Sequence, residues 1–92
     1  MRVLGIDPGT AITGYGLVDY DGDLHLVDCG AIVTPAGMAL PQRLFAIHRD
    51  LSAVISRLQP EAVAVEEVFF SKNVRTAMSV GHARGVVLLA AA

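Results

Sequence analysis

Two acidic residues each close a short apolar run, and they are the side chains of this sequence best suited to chemistry. Asp7 ends the run that begins at Arg2, and Glu66 ends the run that begins at Ala62. If the two runs form adjacent parallel strands, both carboxylates project from one edge of the sheet, the edge where open α/β sheets bind their ligands. Two carboxylates held together repel each other unless a proton or a cation lies between them.

Mg²⁺ suits such a pair because it prefers a few carboxylates together with water and phosphate oxygens, with Mn²⁺ as the alternative metal. Two such ions about 4 Å apart could activate water and stabilise the leaving oxygen of a phosphodiester. For Asp7 alone, capping the following turn is an equally good interpretation, and the matching position of Glu66 favours the metal site. Glu67 adjoins Glu66, but successive strand residues point to opposite faces, so only one of them can share a site with Asp7.

Charge is segregated along the chain in a way that the net charge of −2 conceals. Residues 1–67 contain all nine acidic residues, whereas residues 68–92 contain no acidic residue and hold Lys72, Arg75 and Arg84. A phosphate backbone that approached the carboxylates would meet this basic segment. Taken by itself, the charge pattern is more typical of a solvated helix face.

An aromatic pair, Phe69 and Phe70, follows the carboxylates directly. Aromatic side chains near a basic patch can stack on unpaired bases. Such a pair more often packs in the hydrophobic core. It is also compatible with the sequence that one phenylalanine packs in the core while the other stacks on bases.

The elements that would position these residues follow the order βββαβα. Apolar patterns and turn residues predict strands at 2–7, 13–20 and 24–34 with a candidate bulge at Gly30, a helix from Pro41 to the Gln59-Pro60 break, a strand at 62–66, and a helix at 73–92. The near-continuous apolar run at 62–66 is typical of a central strand buried on both faces. The sequence therefore predicts an α/β domain whose mixed sheet has at least four strands.

Composition excludes several classes of protein. With 53% hydrophobic and 17% charged residues, the chain is not intrinsically disordered. The single cysteine, Cys29, excludes a disulfide scaffold and is expected to be buried. No apolar run approaches the roughly 20 residues that span a bilayer, and no export signal is present, so we expect a soluble, cytoplasmic protein.

The chain stops inside an apolar helix that has neither a glycine cap nor a polar tail. We therefore expect residues 1–92 to form a single, incomplete domain, the N-terminal part of a longer one. The alternative is a short protein whose apolar end packs in an oligomer.

Three groups of motifs extend over nearly the whole chain. The first is Gly5-Ile6-Asp7-Pro8-Gly9-Thr10 with Thr13-Gly14-Tyr15-Gly16, and the second is Gln59-Pro60-Glu61 with Ala64-Val65-Glu66-Glu67-Val68-Phe69. The third is Lys72-Asn73 with Gly81-His82-Ala83-Arg84-Gly85-Val86. In this order and spacing they resemble the RuvC family of bacterial Holliday junction resolvases. The resemblance implies a ribonuclease H-like nuclease domain, and a homodimer that binds four-way DNA junctions in recombination and repair, with a branch-migration motor as a further partner. It also implies Mg²⁺-dependent hydrolysis that nicks two strands symmetrically.

The resemblance also assigns residues. Asp7 and Glu66 match the first two of four metal-binding carboxylates, while the other two belong to a C-terminal helix beyond position 92. Phe69 matches an aromatic residue that opens or stacks junction bases, and the helix beginning near Asn73 resembles a dimer-forming helix. The DNA-binding candidates are Phe69, Lys72, Asn73, Arg75 and Arg84. With two of the four carboxylates, we expect little or no nuclease activity from the 92-residue chain.

Two other functions stay open at the level of sequence. Actin-like ATPases and sugar kinases use an early phosphate loop similar to Asp7-Pro8-Gly9-Thr10, whose backbone amides would surround ATP. A non-enzymatic junction-binding or structural remnant is the third interpretation. The strand-end Glu66 and the basic segment after it favour the nuclease.

Overall fold

The computed structural model describes residues 1–66 and 74–92, with side chains in the final helix from residue 78 onward. The elements follow the predicted order. They are β1 (Arg2–Asp7), β2 (Ile12–Tyr20), β3 (Leu24–Val33), α1 (Leu40–Leu58), β4 (Ala62–Val65) and α2 (Val74–Ala91).

The four strands form one mixed sheet in the order β3-β2-β1-β4. β1 pairs antiparallel with β2 and parallel with β4, and α1 makes the crossover that a parallel neighbour requires. The prediction of a central strand buried on both faces is wrong for β4, which is the outermost strand of the sheet in the described residues. Val63 and Val65 pack against the core, whereas Ala64 is exposed, because both helices cover the same face.

The hydrophobic core lies between that face of the sheet and the two helices. Successive side chains of a strand point to opposite faces, and the alternate residues that point toward the helices are buried. The fully or nearly fully buried core residues are Leu4, Ile6, Leu17, Ile32, Ile47, Leu51, Val54, Ala83 and Val87. Those of α1 recur at intervals of four and three residues, which is the spacing of an amphipathic helix.

The ends of α1 also follow the sequence prediction. Pro41 lies in the first turn, where its missing N–H removes no hydrogen bond within the helix. At the other end, Gln59 adopts the left-handed conformation with φ of 52°, and its N–H donates to the Ile55 carbonyl at 2.9 Å. Across the two described ranges, no helix is long and apolar enough to cross a lipid bilayer.

The opposite face of the sheet, here called the helix-free face, is not covered by either described helix. It comprises alternate residues of all four strands, among them Ile12, Leu26 and Val33, which are 60%, 68% and 66% exposed. Cys29 lies on this face opposite Gly16 and is exposed. The expectation that Cys29 is buried is therefore wrong, because burial here depends on which face the helices cover.

The bulge in β3 lies at Val27 rather than at the predicted Gly30. Leu17 pairs with Asp28 and Val18 pairs with Leu26, so Val27 is the extra residue. Gly30 has a different reason to be glycine. A Cβ there would lie 2.5 Å from the hydroxyl oxygen of Tyr15 on the neighbouring strand.

Candidate functional site

The structure brings Asp7 and Glu66 to the same edge of the sheet, as the parallel arrangement of β1 and β4 predicts. Ile6 is aligned with Val65, and the Glu66 N–H donates to the Ile6 carbonyl at 3.0 Å, which extends the pairing by one residue beyond β4. Asp7 therefore closes the central strand beside Glu66, and both side chains are exposed. Their catalytic roles stay predictions.

The two carboxyl groups lie beside each other at this edge, and Asp7 affects the ionisation of Glu66. A hydrogen bond with Asp7 is the main reason that the pKa of Glu66 is raised, and the negative charge of Asp7 and partial desolvation act in the same direction. With its pKa raised in the fold, Glu66 adds to stability at acidic pH, and this contribution is lost as the pH rises through that raised pKa. When both groups are ionised, a cation between them would relieve their repulsion.

Replacing Asp7 by asparagine should return the pKa of Glu66 toward or below its ordinary value. The substitution removes the charge of Asp7 and leaves an amide that donates to a Glu66 carboxylate, and both changes favour the ionised form. An NMR titration of the Glu66 side-chain carboxyl would measure the shift. The matched control is Asp23→Asn in the exposed turn between β2 and β3, which should leave the Glu66 titration unchanged. An unaltered Glu66 pKa in Asp7→Asn would mean that the two carboxyl groups do not interact.

The turn that follows Asp7 is fixed by hydrogen bonds to one buried hydroxyl. The Thr13 hydroxyl donates to the Gly9 carbonyl at 2.7 Å and accepts from the Gly9 N–H at 3.2 Å. Thr13 is fully buried. The turn is also very tight, because a Cβ on Gly9 would lie 2.3 Å from the Ile12 carbonyl oxygen. These contacts hold the backbone that presents Asp7.

Two further hydroxyl contacts tie the same turn to distant elements. At the end of β3, the Thr34 hydroxyl donates to the Thr10 carbonyl at 2.6 Å, and the Thr34 N–H donates to the Ala11 carbonyl at 3.0 Å. The Thr10 hydroxyl lies 2.7 Å from the Ser79 hydroxyl of α2, and the two oxygens share a hydrogen bond. The turn beside the acidic pair is thus attached to both β3 and α2.

The carboxylates line a shallow groove of about 520 Å³ on the sheet. Small residues of the helix-free face form most of its floor, since Gly5 is aligned with Gly16 on one side and with Ala64 on the other. A Cβ on Gly14 would meet no atom within 4 Å. The described residues that line it are Gly5, Ile6, Asp7, Gly14, Tyr15, Gly16, Ala64, Val65 and Glu66.

The donor set for a metal in the described residues is the two carboxylates. Within residues 1–66 and 74–92, no cluster of three or more His, Cys, Asp or Glu side chains is present. Two oxygen ligands from different strands suit a hard cation such as Mg²⁺, which keeps several waters and is commonly held by one or two carboxylates with substrate phosphates. The raised pKa of Glu66 agrees with a site that a cation would stabilise.

Arg84 is the one predicted DNA-binding residue whose side chain the structure describes. Its Nε donates to the Glu66 carbonyl oxygen at 3.3 Å, so its guanidinium lies beside the acidic edge. The remaining candidates, Phe69, Lys72 and Asn73, lie outside the described residues, as does Glu67. The Arg75 side chain is likewise outside them.

Sequence reasoning missed the hydroxyl groups that hold the turn. Thr13 lies in β2 and Thr34 directly follows β3, and both are buried polar residues on the side of the sheet that the helices cover. Such a residue needs a hydrogen-bond partner, and that requirement is the signal that would have pointed to them. Nothing in the local sequence indicates the pairing of Thr10 with Ser79, which are 69 residues apart.

Comparison with known protein families finds one match over nearly the whole chain. The model of the family described as "Crossover junction endodeoxyribonuclease RuvC" matches residues 3–92. The protein of that name from Chloroflexus aggregans is 61% identical over 93 residues, which is 100% of this chain and 57% of the relative. The chain therefore spans less than two thirds of the length of this curated relative.

Solved structures give the same result for the fold. Thermus thermophilus RuvC in complex with a Holliday junction substrate matches with a TM-score of 0.91 at 40% identity, over 99% of this chain and 56% of that one. The Aquifex aeolicus Ppx/GppA phosphatase matches with a TM-score of 0.54 at 20% identity, over 71% of this chain and 25% of that one, a likeness of fold alone. The α/β class and the ribonuclease H-like architecture are confirmed.

Proposed function

The chain belongs to the RuvC family of crossover junction endodeoxyribonucleases, and we propose from this premise that, completed to the length of its relatives, it resolves four-way DNA junctions. The reaction is metal-dependent hydrolysis of phosphodiester bonds. The observation that carries the proposal is that Asp7 and Glu66 lie side by side at one edge of the sheet, where the Glu66 N–H donates to the Ile6 carbonyl.

Asp7 and Glu66 are the residues that would hold Mg²⁺. When bound, the ion would lower the pKa of a water molecule and stabilise the charge that develops on the phosphate oxygens. Asp7 is the more firmly held of the two ligands, since β1 is paired on both sides and the following turn is fixed by Thr13. Glu66 lies one residue beyond β4, and its backbone is held by the Ile6 carbonyl and by Arg84.

The basic segment of the chain supplies the proposed contacts to DNA. Arg84 supports this placement, because its hydrogen bond to the Glu66 carbonyl puts a permanent positive charge beside the acidic edge. A phosphate brought to the carboxylates would pass this charge, and arginine is well suited to phosphate oxygens. Phe69, Lys72, Asn73 and Arg75 are proposed as further contacts from the sequence alone. The junction seen with the Thermus thermophilus relative supports the choice of substrate.

Further properties of the complete protein are part of the same proposal. Residues 1–92 form part of a single nuclease domain, and two copies of the protein make symmetric nicks. The helix α2 takes part in the homodimer, and its exposed Met78 and Leu89 offer apolar area for that purpose. A branch-migration motor as partner and a cytoplasmic location stay predictions.

The test is cleavage of a synthetic four-way junction by a completed chimera, in which residues 1–92 replace the matching 93-residue segment of the Chloroflexus aggregans relative. We expect symmetric nicks that require Mg²⁺ or Mn²⁺ and are absent from a linear duplex of the same sequence. The 92-residue chain alone should cleave far more slowly, since it offers two carboxylates in place of four. A chimera that binds the junction but never cleaves it would favour the non-enzymatic interpretation.

The fragment of an actin-like ATPase or sugar kinase is not favoured, because the family match extends over residues 3–92. The two functions differ in a simple binding measurement. A phosphate loop at Asp7-Pro8-Gly9-Thr10 would bind ATP without any junction, whereas the nuclease should bind the junction and show no affinity for ATP. Isothermal titration of the chimera with each ligand separates them.

A further inference from the structure

The backbone of the turn after Asp7 is held without any help from the Thr10 side chain. Thr13 engages both backbone polar groups of Gly9, and Thr34 engages the carbonyls of Thr10 and Ala11. Thr13 and Thr34 are buried, so these hydrogen bonds are shielded from water. The conformation of the turn is therefore determined by two buried threonines.

The Thr10 hydroxyl makes a contact of a different kind. It leaves the turn and meets the Ser79 hydroxyl of α2 at 2.7 Å, in a half-buried position. The contact joins the turn after β1 to a helix that begins more than sixty residues later in the chain. Removing it would leave the hydrogen bonds of the turn in place and loosen only the attachment of the helix.

The first part of α2 has few other attachments among its described side chains. Among the side chains of α2 that the structure describes, the fully buried ones are Ala83 and Val87, in its middle and second half. Within residues 78–82, Met78 and His82 are exposed, and Ser79 and Val80 are half-buried. The Ser79 hydroxyl is therefore the polar anchor of this part of the helix.

We propose that Thr10 and Ser79 are positioning residues, whose shared hydrogen bond fixes the first part of α2 against the turn that presents Asp7. Residues 67–73 connect Glu66 to this helix along the chain. The hydrogen bond therefore attaches α2, at Ser79, to the turn beside the acidic edge, where the Glu66 N–H donates to the Ile6 carbonyl. On the proposed function, which this consequence rests on, the pair sets the position of α2, which carries the proposed DNA contact Arg84, relative to the metal-binding carboxylates.

The first test is independent of DNA. Thr10→Val keeps the branched shape and removes the hydroxyl, while Thr10→Ser keeps the hydroxyl. In the 92-residue chain, amide hydrogen exchange of residues 78–82 should accelerate about fivefold to tenfold in Thr10→Val and Ser79→Ala, as expected for one lost hydrogen bond. Thr10→Ser should remain within about twofold of the parent. Ser56→Ala, the same change at an exposed position of α1, is the matched control and should leave exchange in α2 unaltered.

The second test separates positioning from a general loss of structure. The same variants of the 92-residue chain are titrated with a synthetic four-way junction and, separately, with Mg²⁺ alone followed by NMR at Asp7 and Glu66. Junction affinity should fall about tenfold in Thr10→Val and recover in Thr10→Ser, the scale of one hydrogen bond. The response of the carboxylates to Mg²⁺ should stay within about twofold, since Thr13 and Thr34 still hold the turn.

Two results would overturn the proposal. Unchanged hydrogen exchange in Thr10→Val would show that the contact does not anchor α2. Equal losses of junction and Mg²⁺ binding, with no recovery in Thr10→Ser, would show a structural role only. If the parent chain and the completed chimera both fail to bind the junction, the proposed function is wrong, and hydrogen exchange alone still decides whether Thr10 and Ser79 anchor the helix.

Discussion

Junction cleavage by the completed chimera should fall at least about a thousand-fold when Asp7 is replaced by asparagine, because the loss of one anionic ligand at a metal centre removes several kcal/mol of transition-state stabilisation. Asparagine preserves the size of the side chain and removes its charge, so it binds a hard cation far less well. Junction binding should persist within a few-fold. It depends on the basic residues, and the substitution reduces the repulsion between the acidic edge and the phosphate backbone.

The measurement is single-turnover cleavage of a labelled four-way junction, with junction affinity determined in Ca²⁺ on the same samples. Glu66→Gln should behave in the same way as Asp7→Asn, since the two carboxylates form one site. Asp23→Asn, in the exposed turn after β2, is the matched control and should cleave at the parent rate. Retention of more than about a tenth of the parent rate by Asp7→Asn would exclude this carboxylate from catalysis, because tenfold is only about 1.4 kcal/mol.

The second large effect is expected on stability. Gly9→Ala should lower the free energy of unfolding by about 3 kcal/mol, the upper part of the range for forced overpacking. The added Cβ would lie 2.3 Å from the Ile12 carbonyl oxygen, which belongs to the backbone and cannot rotate away as a side chain can. The turn must therefore open, at the expense of the hydrogen bonds that Thr13 makes to Gly9.

Urea unfolding of the 92-residue chain would measure the change, with Gly14→Ala as the matched control. A Cβ on Gly14 meets no atom within 4 Å, so this variant should be as stable as the parent to within about 0.5 kcal/mol. Displacement of Asp7 in Gly9→Ala should also weaken the response of the carboxylates to Mg²⁺. Equal stabilities of the two variants would mean that the turn adapts without cost, and that Gly9 is not required for its geometry.

Much of the fold follows from periodicity in the sequence. The stripe containing Ile47, Leu51 and Val54 has helical spacing, and it is the stripe that the structure buries. The meeting of Asp7 and Glu66 was predictable for the same kind of reason. Each carboxylate ends an apolar strand, and a helix between two neighbouring strands makes them parallel, so their ends fall at the same edge.

The features that sequence reasoning missed depend on contacts between distant parts of the chain. Alternation along β3 does not reveal which face the helices will cover, and this choice decides that Cys29 is exposed. The same choice leaves Ala64 exposed in a strand predicted to be buried on both faces. The bulge at Val27 depends on how two strands align, and a glycine such as Gly30 is an ambiguous sign of where it falls.

Function required a different kind of information from the fold. Two carboxylates at the edge of a sheet predict a metal site, but enzymes of many different reactions use such a metal site. The order and spacing of the motifs around Asp7 and Glu66 identified the family, and a match over residues 3–92 supports the same conclusion. Neither the sequence pattern nor the family motifs predicted the hydroxyl contact between Thr10 and Ser79, since neither residue is unusual in its local sequence.

The groove beside the carboxylates has a thermodynamic consequence that arises from its floor. Gly5, Gly14 and Gly16 have no side-chain torsions, and Ala64 has only a methyl group. Ordering a long side chain on binding costs about 0.5–1.5 kcal/mol, and a surface made of main chain avoids that cost. A group that binds in this groove contacts a surface with few side-chain torsions to order, so the conformational entropy of the protein changes little on binding. Selectivity then depends on how well the shape of the bound group fits the groove.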